Sequence, residues 1–333
     1  MGIHCYAALS AKQALQKFEY DPKPLGPKDV EIQITHCGIC HSDIHLIDND
    51  WQRSVYPLVP GHEIIGVINA VGSEVKDLQK GQRVGVGWLA NSCGQCEWCS
   101  NGQENLCAKK QATCVGNHGG FAEAIRVNSH FALPIPDALT SETAAPLLCG
   151  GITVYSPLRR HVTANTRVGI VGVGGLGHMA LQFAHALGAE VTAFSSTPEK
   201  MLETRLFGAD HFVASNDKNA LQVVANSLDF ILITATANLD WMDYINVLRP
   251  NGNLCFVSGL TTAVTVPIMA LIGNRKTVSG SNTGGCPEIA EMLEFAAQHK
   301  IAAQTEVLPM EQVNAALDKV RANRARYRMV LMR

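Results

Sequence analysis

A short apolar run that leads directly into a glycine-rich segment constrains the fold of this chain more than any other feature. Arg167–Val171 reads as a buried strand, Gly-Val-Gly-Gly-Leu-Gly follows at 172–177, and the next residues show the apolar spacing of a helix. A G-x-G-x-x-G sequence is weak evidence alone, but between a strand and a helix it is the fingerprint of dinucleotide binding. Gly172 would allow a tight turn, Gly174 a close approach to a pyrophosphate, and Gly177 close packing of helix on strand. We therefore predict a dinucleotide site at this segment rather than a glycine-rich turn without a ligand.

Strands and helices alternate after this segment. Further apolar runs predict strands at 190–194, 211–214, 229–234, 253–257 and 276–280, with helices at 198–207 and 287–298. Such alternation predicts a parallel, doubly wound sheet. The first third instead contains short half-buried strands, such as 28–34, without regular alternation. We predict an α/β protein with a Rossmann-type doubly wound parallel-sheet domain plus a mainly β domain. A short tail is expected to place Arg324, Arg326 and Arg328 on a solvated surface.

A second feature is a concentration of metal-ligating side chains. Residues 37–45 read Cys-Gly-Ile-Cys-His-Ser-Asp-Ile-His, and Gly-His-Glu follows at 61–63. A catalytic zinc takes three protein ligands from Cys, His and carboxylate and leaves one position open. We predict Cys40 and His62 as two of these ligands, with Cys149 as the best candidate for the third. On local evidence alone, Cys149 is equally well explained as a small buried core residue.

Four further cysteines follow the spacing C-x2-C-x2-C-x7-C, at Cys93, Cys96, Cys99 and Cys107. Four thiolates in one polar loop can close a tetrahedral shell around zinc. The alternatives are four unrelated cysteines or an iron–sulfur cluster. The ferredoxin run ends in C-x3-C-P, whereas the last gap in this loop is seven residues and Ala108 follows. We therefore predict a structural zinc at this loop.

Composition narrows the class of protein. The 333 residues suffice for about two domains, and 47% hydrophobic with 17% charged residues is typical of a globular chain. A formal net charge of -2 gives no indication of a nucleic-acid partner. No apolar run reaches transmembrane length, the N-terminus does not read as a signal peptide, and eleven cysteines suit metal sites better than disulfides. We expect a cytoplasmic protein without membrane or nucleic-acid partners.

Together these motifs resemble the medium-chain, zinc-dependent alcohol dehydrogenases, and most closely the cinnamyl-alcohol-dehydrogenase-like branch of NADP-dependent aldehyde reductases. The resemblance spans nearly the whole chain and is carried by residues 37–43, 60–63, 93–107, 147–155, 172–177 and 278–285. It implies a GroES-like catalytic, zinc-binding domain formed by residues 1–150 and 285–333, with a dinucleotide-binding Rossmann domain at 151–284. It also implies a homodimer and a small-molecule aldehyde or alcohol as substrate.

The resemblance also implies roles for the residues around the first zinc. Cys149 becomes the third ligand, and Glu63 would approach the metal when water or substrate is absent. Asp43 would orient His62, as metal-bound imidazoles usually require. Ser42 would pass a proton from the alcohol toward His45 through the cofactor ribose, and His41 would lie near the cofactor pyrophosphate.

The end of the second predicted strand indicates the choice of cofactor. NAD-specific folds place an acid about 20 residues beyond the glycine motif, on the ribose 2′-hydroxyl. No acid occupies 191–198, whereas Ser195 and Ser196 can donate hydrogen bonds to a phosphate and Lys200 supplies positive charge. Capping of the next helix is the alternative role of this Ser-Ser-Thr-Pro segment. We predict NADP(H), held by Gly172, Gly174, Gly175, Leu176, Gly177, Ser195, Ser196, Lys200, Ser258 and Ser281 together with His41.

We interpret the chain as a zinc-dependent oxidoreductase that transfers a hydride between NADP(H) and a primary alcohol/aldehyde pair, acting as an aldehyde reductase. The substrate pocket is predicted at Trp51, Trp88, Asn282 and Thr283, with the tryptophans forming an apolar wall for aromatic or medium-chain aldehydes. Only eleven residues separate Cys107 from Gly119, fewer than expected of the plant lignin-pathway enzymes, so their substrate class is not carried over. Two alternatives are a zinc-free reductase of the same superfamily and a non-enzymatic NADPH-binding sensor or structural protein.

Overall fold

The computed structural model describes residues 2–259 and 263–333. The chain divides into two compact units, one formed by Met1–Ile152 with Gly284–Arg333 and the other by Thr153–Thr283. Among the described residues, no helix combines the length and apolar character needed to cross a bilayer.

Strands and helices are numbered in chain order. The strands are β1 (Ile3–Ala7), β2 (Gln16–Tyr20), β3 (Asp29–Ile39), β4 (Glu63–Val71), β5 (Arg83–Val86), β6 (Leu89–Asn91), β7 (Gln111–Ala112), β8 (Ala124–Asn128), β9 (Leu133–Pro134), β10 (Arg167–Val171), β11 (Glu190–Ser195), β12 (His211–Ala214), β13 (Leu228–Ile233), β14 (Leu248–Phe256), β15 (Thr277–Gly280), β16 (Thr305–Pro309) and β17 (Arg328–Met332). The α-helices are α1 (His41–Asp48), α2 (Glu97–Ser100), α3 (Ser141–Ala144), α4 (Gly150–His161), α5 (Gly177–Ala186), α6 (Met201–Leu206), α7 (Lys218–Val223), α8 (Trp241–Val247), α9 (Ile268–Ile272), α10 (Cys286–His299) and α11 (Val313–Arg321). Short 3-10 turns lie at Glu104–Leu106, Ser129–Phe131, Ala145–Leu148, Pro198–Lys200 and Met310–Gln312.

The main sheet of the first unit is built around the long strand β3. Its strand order is β16-β17-β3-β4-β5-β9, and β8 also pairs with β3. Residues 29–33 of β3 pair with β8 and residues 36–39 pair with β17, while β4 runs antiparallel to β3. The end of β3 therefore lies beside the start of β17 and opposite the start of β4, and α1 begins directly after it.

The second unit contains the parallel sheet that the sequence predicts. Its strand order is β12-β11-β10-β13-β14-β15, and each neighbouring pair is parallel. The order reverses between β10 and β13, and ligands of doubly wound sheets bind outside the carboxyl ends of the strands at such a switch point. The glycine-rich segment 172–177 directly follows β10, at this point. Apolar side chains such as Ile231, Phe194 and Tyr244 are fully buried and form the core of this unit.

The prediction that the tail places three arginines on the surface is wrong for Arg328, whereas Arg324 and Arg326 are exposed as expected. Residues 305–332 also contain β16, α11 and β17, which the sequence did not predict. Helix α11 buries Val313, Ala316, Leu317 and Val320, which have the i, i+3, i+4, i+7 spacing of one helical face. Strand β17 lies within the main sheet, and Arg328 at its start is only 6% exposed. The tail therefore completes the sheet of the first unit.

Candidate active site

One buried carboxylate organises the turn between β3 and α1. Asp43 is fully buried, and its Oδ2 accepts a hydrogen bond from the Cys40 backbone N–H at 2.9 Å. Its Oδ1 accepts from the Gly61 N–H and pairs with His62 Nδ1, both at 2.9 Å. Because a single side chain holds both segments, Cys40 and His62 are fixed relative to each other although 22 positions separate them in the sequence.

Cys149 reaches the same place from the turn before α4. His62 Nε2 lies 3.3 Å from Cys149 Sγ, and Cys149 Sγ lies 4.0 Å from Cys40 Sγ. One ligand atom from each of Cys40, His62, Glu63 and Cys149 lies within 4.8 Å of every other. A hydrogen bond from the Cys149 thiol holds the pKa of Cys40 well below its usual range. The structure thus brings the three predicted ligands together and favours a thiolate at Cys40.

The fit of this set to zinc can be judged from its geometry. Tetrahedral zinc, with Zn–S near 2.3 Å and Zn–N near 2.0 Å, requires S···S of about 3.8 Å and S···N of about 3.6 Å. The observed 4.0 and 3.3 Å separations are close to both values. In addition, Oε2 of the fully buried Glu63 has no hydrogen-bond partner within the described part of the chain. The donor set fits a catalytic zinc with Glu63 beside it.

Arg328 balances the charge of Glu63. Arg328 is buried, so its predicted position on the surface is wrong. Its guanidinium forms an ion pair with Glu63 Oε1, and both side chains are buried. Burial raises the pKa of Glu63 to about 7, against the lowering effect of Arg328. Gly38 lies opposite Glu63 in the β3–β4 pair, and a Cβ at that position would clash with the Glu63 carboxylate.

The four-cysteine loop forms a second, separate sulfur cluster. Sγ of Cys96 lies 3.6 Å from that of Cys99, Cys107 lies 3.6 Å from Cys93, and Cys93 lies 3.9 Å from Cys99. All four sulfurs lie within 4.8 Å of one another, and none is in a disulfide. Backbone hydrogen bonds from Gln95 and Cys96 lower the pKa of Cys93 to about 6. These spacings again match the S···S distance of about 3.8 Å in a tetrahedral zinc thiolate site.

Helix α1 carries the residues predicted to move protons. Ser42 is half-buried beside the fully buried Asp43, and His41 is exposed at the start of the helix. His45 lies one turn further along, with Nδ1 at 2.7 Å from Asp50 Oδ2. The structure places Ser42 and His45 on one helix, and their roles stay predictions.

Two tryptophans lie beside the predicted metal ligands. The Trp88 ring packs edge-on against His62 with 4.8 Å between centroids. Trp51 packs edge-on against Trp88 at 6.4 Å and lies 5.1 Å from the His45 ring. Both rings therefore lie next to the metal ligands, and their role in a substrate pocket stays a prediction. Asn282 and Thr283 belong to the second unit, after β15.

The glycine-rich segment of the second unit has the backbone that dinucleotide binding needs. Gly172 has φ +94°, a left-handed value that favours glycine, and a Cβ at Gly177 would clash with the Gly172 carbonyl oxygen. A Cβ at Gly174 would meet nothing within 4 Å, so this backbone faces open space. Helix α5 begins at Gly177 without a side-chain cap, and its His178 and Met179 N–H groups donate to the Gly174 and Leu176 carbonyls. An anion at this segment would therefore be stabilised by the positive end of the helix dipole rather than by these two amides. The segment can therefore cradle a pyrophosphate.

The residues predicted to select NADP lie at the carboxyl ends of the parallel strands, but they are not equally available. Lys200 Nζ donates to the Val173 carbonyl at 2.6 Å, which places this cation beside the glycine-rich segment. Ser196 is exposed, whereas the buried Ser195 hydroxyl accepts from the Thr197 N–H at 3.2 Å. Ser258 donates to the Ala235 carbonyl at 2.6 Å. Lys200 and Ser196 are better placed for a phosphate than Ser195.

Sequence reasoning did not connect three residues with the metal ligands and the tryptophans beside them. Arg328 pairs with Glu63, which is 265 positions away in the sequence. This role could have been predicted only by pairing the tail strand with β3. Cys114 is fully buried, and its sulfur lies within 4.8 Å of ligand atoms of Asp43 and His62, yet an isolated cysteine in a loop carries no pattern. Arg53 stands beside the two tryptophans, and its closeness to Trp51 in the sequence was the available signal.

Comparison with known proteins gives matches over both units. Residues 26–137 match the alcohol dehydrogenase GroES-like domain, and residues 175–298 match the zinc-binding dehydrogenase domain. An aldehyde reductase of Synechocystis is 40% identical over 330 residues, covering 99% of this chain and 98% of the relative. An NADP-dependent alcohol dehydrogenase C of Mycobacterium tuberculosis is 42% identical over 338 residues, covering 99% and 98%.

Solved structures also match over the whole chain. A cinnamyl alcohol dehydrogenase of Sorghum bicolor superposes with a TM-score of 0.96 at 37% identity, covering 100% of this chain and 98% of that one. A cinnamyl alcohol dehydrogenase of Helicobacter pylori, solved in complex with NADP(H), superposes with a TM-score of 0.92 at 34% identity, again covering 100% and 98%. The predicted fold class and family resemblance are confirmed.

Proposed function

The chain belongs to the zinc-binding alcohol dehydrogenase family, and from this premise we propose that it is an NADP(H)-dependent aldehyde reductase acting on a primary alcohol/aldehyde pair. The observation that carries the proposal is the convergence of Cys40, His62 and Cys149 from three separate segments, with spacings that suit zinc. We further propose that the first unit is the catalytic domain predicted at 1–150 and 285–333, and that the second is the cofactor domain predicted at 151–284.

The protein residues prepare the reaction in four ways. Zinc held by Cys40, His62 and Cys149 would supply a Lewis acid for the substrate oxygen. Asp43 fixes the ring of His62 through Nδ1, so that Nε2 faces the metal position. Glu63 stays buried beside the ligands because Arg328 compensates its charge. Trp88 packs against His62 and limits access of water from that side.

Helix α1 provides a path for the proton. Ser42 directly follows the Cys40–His41 pair and would exchange a proton with the substrate oxygen. His45 lies one turn further and is partly exposed, so it can pass the proton on to solvent. The Asp50 carboxylate fixes its ring through Nδ1. His41 at the start of the helix would face the cofactor phosphates.

The cofactor proposal is NADP(H) rather than NAD(H). The cofactor would supply the hydride. The open backbone at Gly174 and the positive end of the α5 dipole would hold the pyrophosphate, with Gly175, Leu176 and Gly177. Ser196 and Lys200 would hold the 2′-phosphate, and Ser258 and Ser281 lie at the ends of β14 and β15 on the same edge of the sheet. The absence of an acid at 191–198 supports this choice.

We propose two zinc ions per chain with different roles. The set Cys93, Cys96, Cys99 and Cys107 offers four sulfurs and thus a closed shell, which is the pattern of structural zinc. The Cys40, His62 and Cys149 set offers three ligands, which is the pattern of catalytic zinc. Thiolates that bind metal rather than form disulfides fit the reducing cytoplasm, where we place the protein.

We propose that the chain forms a homodimer through its second unit. Strand β15 ends the parallel sheet on one side, and unpaired strand edges are normally covered. Helix α9 precedes this strand and exposes Ile268, Met269 and Ile272 by 60% or more. Among the described residues no strand covers this edge, and an open edge with exposed apolar side chains just before it in the sequence favours pairing with a second copy of the chain.

The test is an aldehyde reductase assay on protein depleted of metal with a chelator and then reloaded. Loss of NADPH absorbance should require an aldehyde, disappear after chelation and return with zinc. Activity that persists in metal-free protein would favour a zinc-free reductase. NADPH binding without turnover of any aldehyde in a broad aliphatic and aromatic screen would favour a non-enzymatic role.

A further inference from the structure

A positively charged cavity lies next to the tryptophan wall of the first unit. Its volume is about 450 Å³, and it is lined by Lys23, Arg53 and Lys110 together with Trp88 and neutral residues of the loop 111–117. No Asp or Glu is found among the described residues that line it. Three cations around one cavity without an acid create a site that attracts an anion.

Arg53 is held in a geometry that leaves its hydrogen-bond donors available. Its Cζ lies 4.6 Å from the centre of the Trp51 ring and 5.7 Å from that of Trp88. Stacking engages the flat face of a guanidinium, while its N–H donors lie in the plane and point outward at the edge. Within the described part of the chain, Arg53 forms no ion pair. The two indole rings therefore orient a cation whose edge can bind a carboxylate with two parallel hydrogen bonds.

Trp88 connects this cavity with the metal ligands. One side of the indole packs edge-on against His62 at 4.8 Å, and Arg53 lies 5.7 Å from the same ring. A substrate with its carbonyl at the metal ligands would run along Trp88 and reach Arg53 with its far end. The indole would pack against the hydrocarbon between the two ends.

Resting on the aldehyde reductase function proposed above, we propose that the preferred aldehydes carry a carboxylate at the end remote from the carbonyl. Arg53 is the residue that determines this specificity, and Lys110 and Lys23 add positive charge. Lys110 is fixed at the cavity by its hydrogen bond to the Asn105 carbonyl at 2.6 Å. A neutral aldehyde of the same size would leave these cations unpaired and would be reduced less efficiently.

The test compares two aldehydes of equal shape, 4-carboxybenzaldehyde and its neutral amide 4-formylbenzamide, with NADPH as reductant. We expect kcat/KM of the wild-type protein to favour the carboxylate by roughly tenfold, and the preference to fall as salt is added. Arg53→Gln should reduce the ratio of the two kcat/KM values toward one. Arg324→Gln removes the same charge from an exposed position outside this cavity and should leave the ratio unchanged.

The outcomes separate this inference from the proposed function. Reduction of both aldehydes with equal efficiency by the wild-type protein, at low salt, would overturn the inference and leave the reductase function intact. A preference for the carboxylate that Arg53→Gln does not alter would also overturn it, because another residue would then be responsible. Failure to reduce these or any other aldehydes would instead count against the proposed function.

Discussion

At the scale of single residues, the site depends on buried charges that are each compensated by a specific partner. Asp43 receives hydrogen bonds from two backbone amides and contacts His62, and Glu63 is paired with Arg328. Burying an ionised carboxylate without such partners is strongly unfavourable. The positions of the predicted metal ligands therefore follow from the partners that surround them.

Asp43→Asn tests the orienting role of the carboxylate. An amide offers only one acceptor oxygen where the carboxylate now serves Cys40, Gly61 and His62, so at least one of these contacts must be lost. We expect the affinity for the catalytic zinc to fall by roughly 10- to 100-fold. Titration with a zinc-buffering chelator measures this, and exposed Asp77→Asn is the control. Unchanged zinc affinity in Asp43→Asn would contradict the assignment.

Arg328→Met tests the buried ion pair. The change leaves the Glu63 carboxylate buried without its counter-charge, and we expect a loss of about 3 kcal/mol in the free energy of unfolding. Urea unfolding measures it. Adding Glu63→Gln to Arg328→Met should recover part of the loss, because the uncompensated charge is then removed. A double variant that is less stable than the sum of both single changes predicts would argue against this pairing.

At the scale of elements, the parallel strands of the second unit are the part of the structure that the sequence predicts best. The C-terminal β16–α11–β17 segment is the part that it predicts worst. Strands β10 and β13 are largely apolar runs, which is the pattern of a buried parallel strand. The surface prediction for Arg328 is wrong because β17, where it lies, pairs with β3 at the other end of the chain. Cys149 likewise cannot be told from a core residue until the fold brings it to His62.

Lys200→Met tests the cofactor choice at the end of β11. Lys200 lies beside the glycine-rich segment, where its charge would attract a 2′-phosphate that NADH lacks. We expect KM for NADPH to rise by roughly tenfold, with a much smaller change for NADH. Lys218→Met, at the start of α7, is the charge-matched control. Equal effects on both cofactors would show that Lys200 supports the loop rather than selecting the phosphate.

Glu306→Gln tests how the tail is attached. The hydrogen bond from Lys319 on α11, and further that from the Arg326 N–H, keep the pKa of Glu306 below its ordinary value of 4.5. A group whose folded-state pKa is lowered stabilises the fold above its unfolded-state pKa, and this contribution disappears as the pH falls through the folded-state value.

We therefore expect Glu306→Gln to lower stability by about 1 kcal/mol at pH 7, after allowance for partial exposure, and by progressively less as the pH falls below 4.5. Thermal unfolding across this range measures the difference. Glu294→Gln, on an exposed position of α10, is the control. A pH-independent effect of Glu306→Gln would contradict the ion-pair explanation.

At the scale of the whole molecule, sequence motifs predict the family because each of them is short, local and chemically specific. The glycine-rich segment, the four-cysteine loop and the Cys40 segment can be read directly from the chain. The roles of the charged residues around the site cannot be read from the chain in this way. Arg53 and Arg328 have partners that only the folded structure brings beside them. The substrate preference is therefore harder to predict from the sequence than the reaction is.

The decisive measurement for the two-zinc mechanism is the zinc content of three purified proteins, determined together with NADPH-dependent aldehyde reduction. The wild-type chain should contain two zinc ions and be active. Cys40→Ser should keep one zinc and its fold but lose turnover, whereas Cys99→Ser should lose the other zinc and chiefly stability. An active wild-type chain with one zinc or none, or a Cys40→Ser variant that keeps both zinc ions and full activity, would contradict this mechanism.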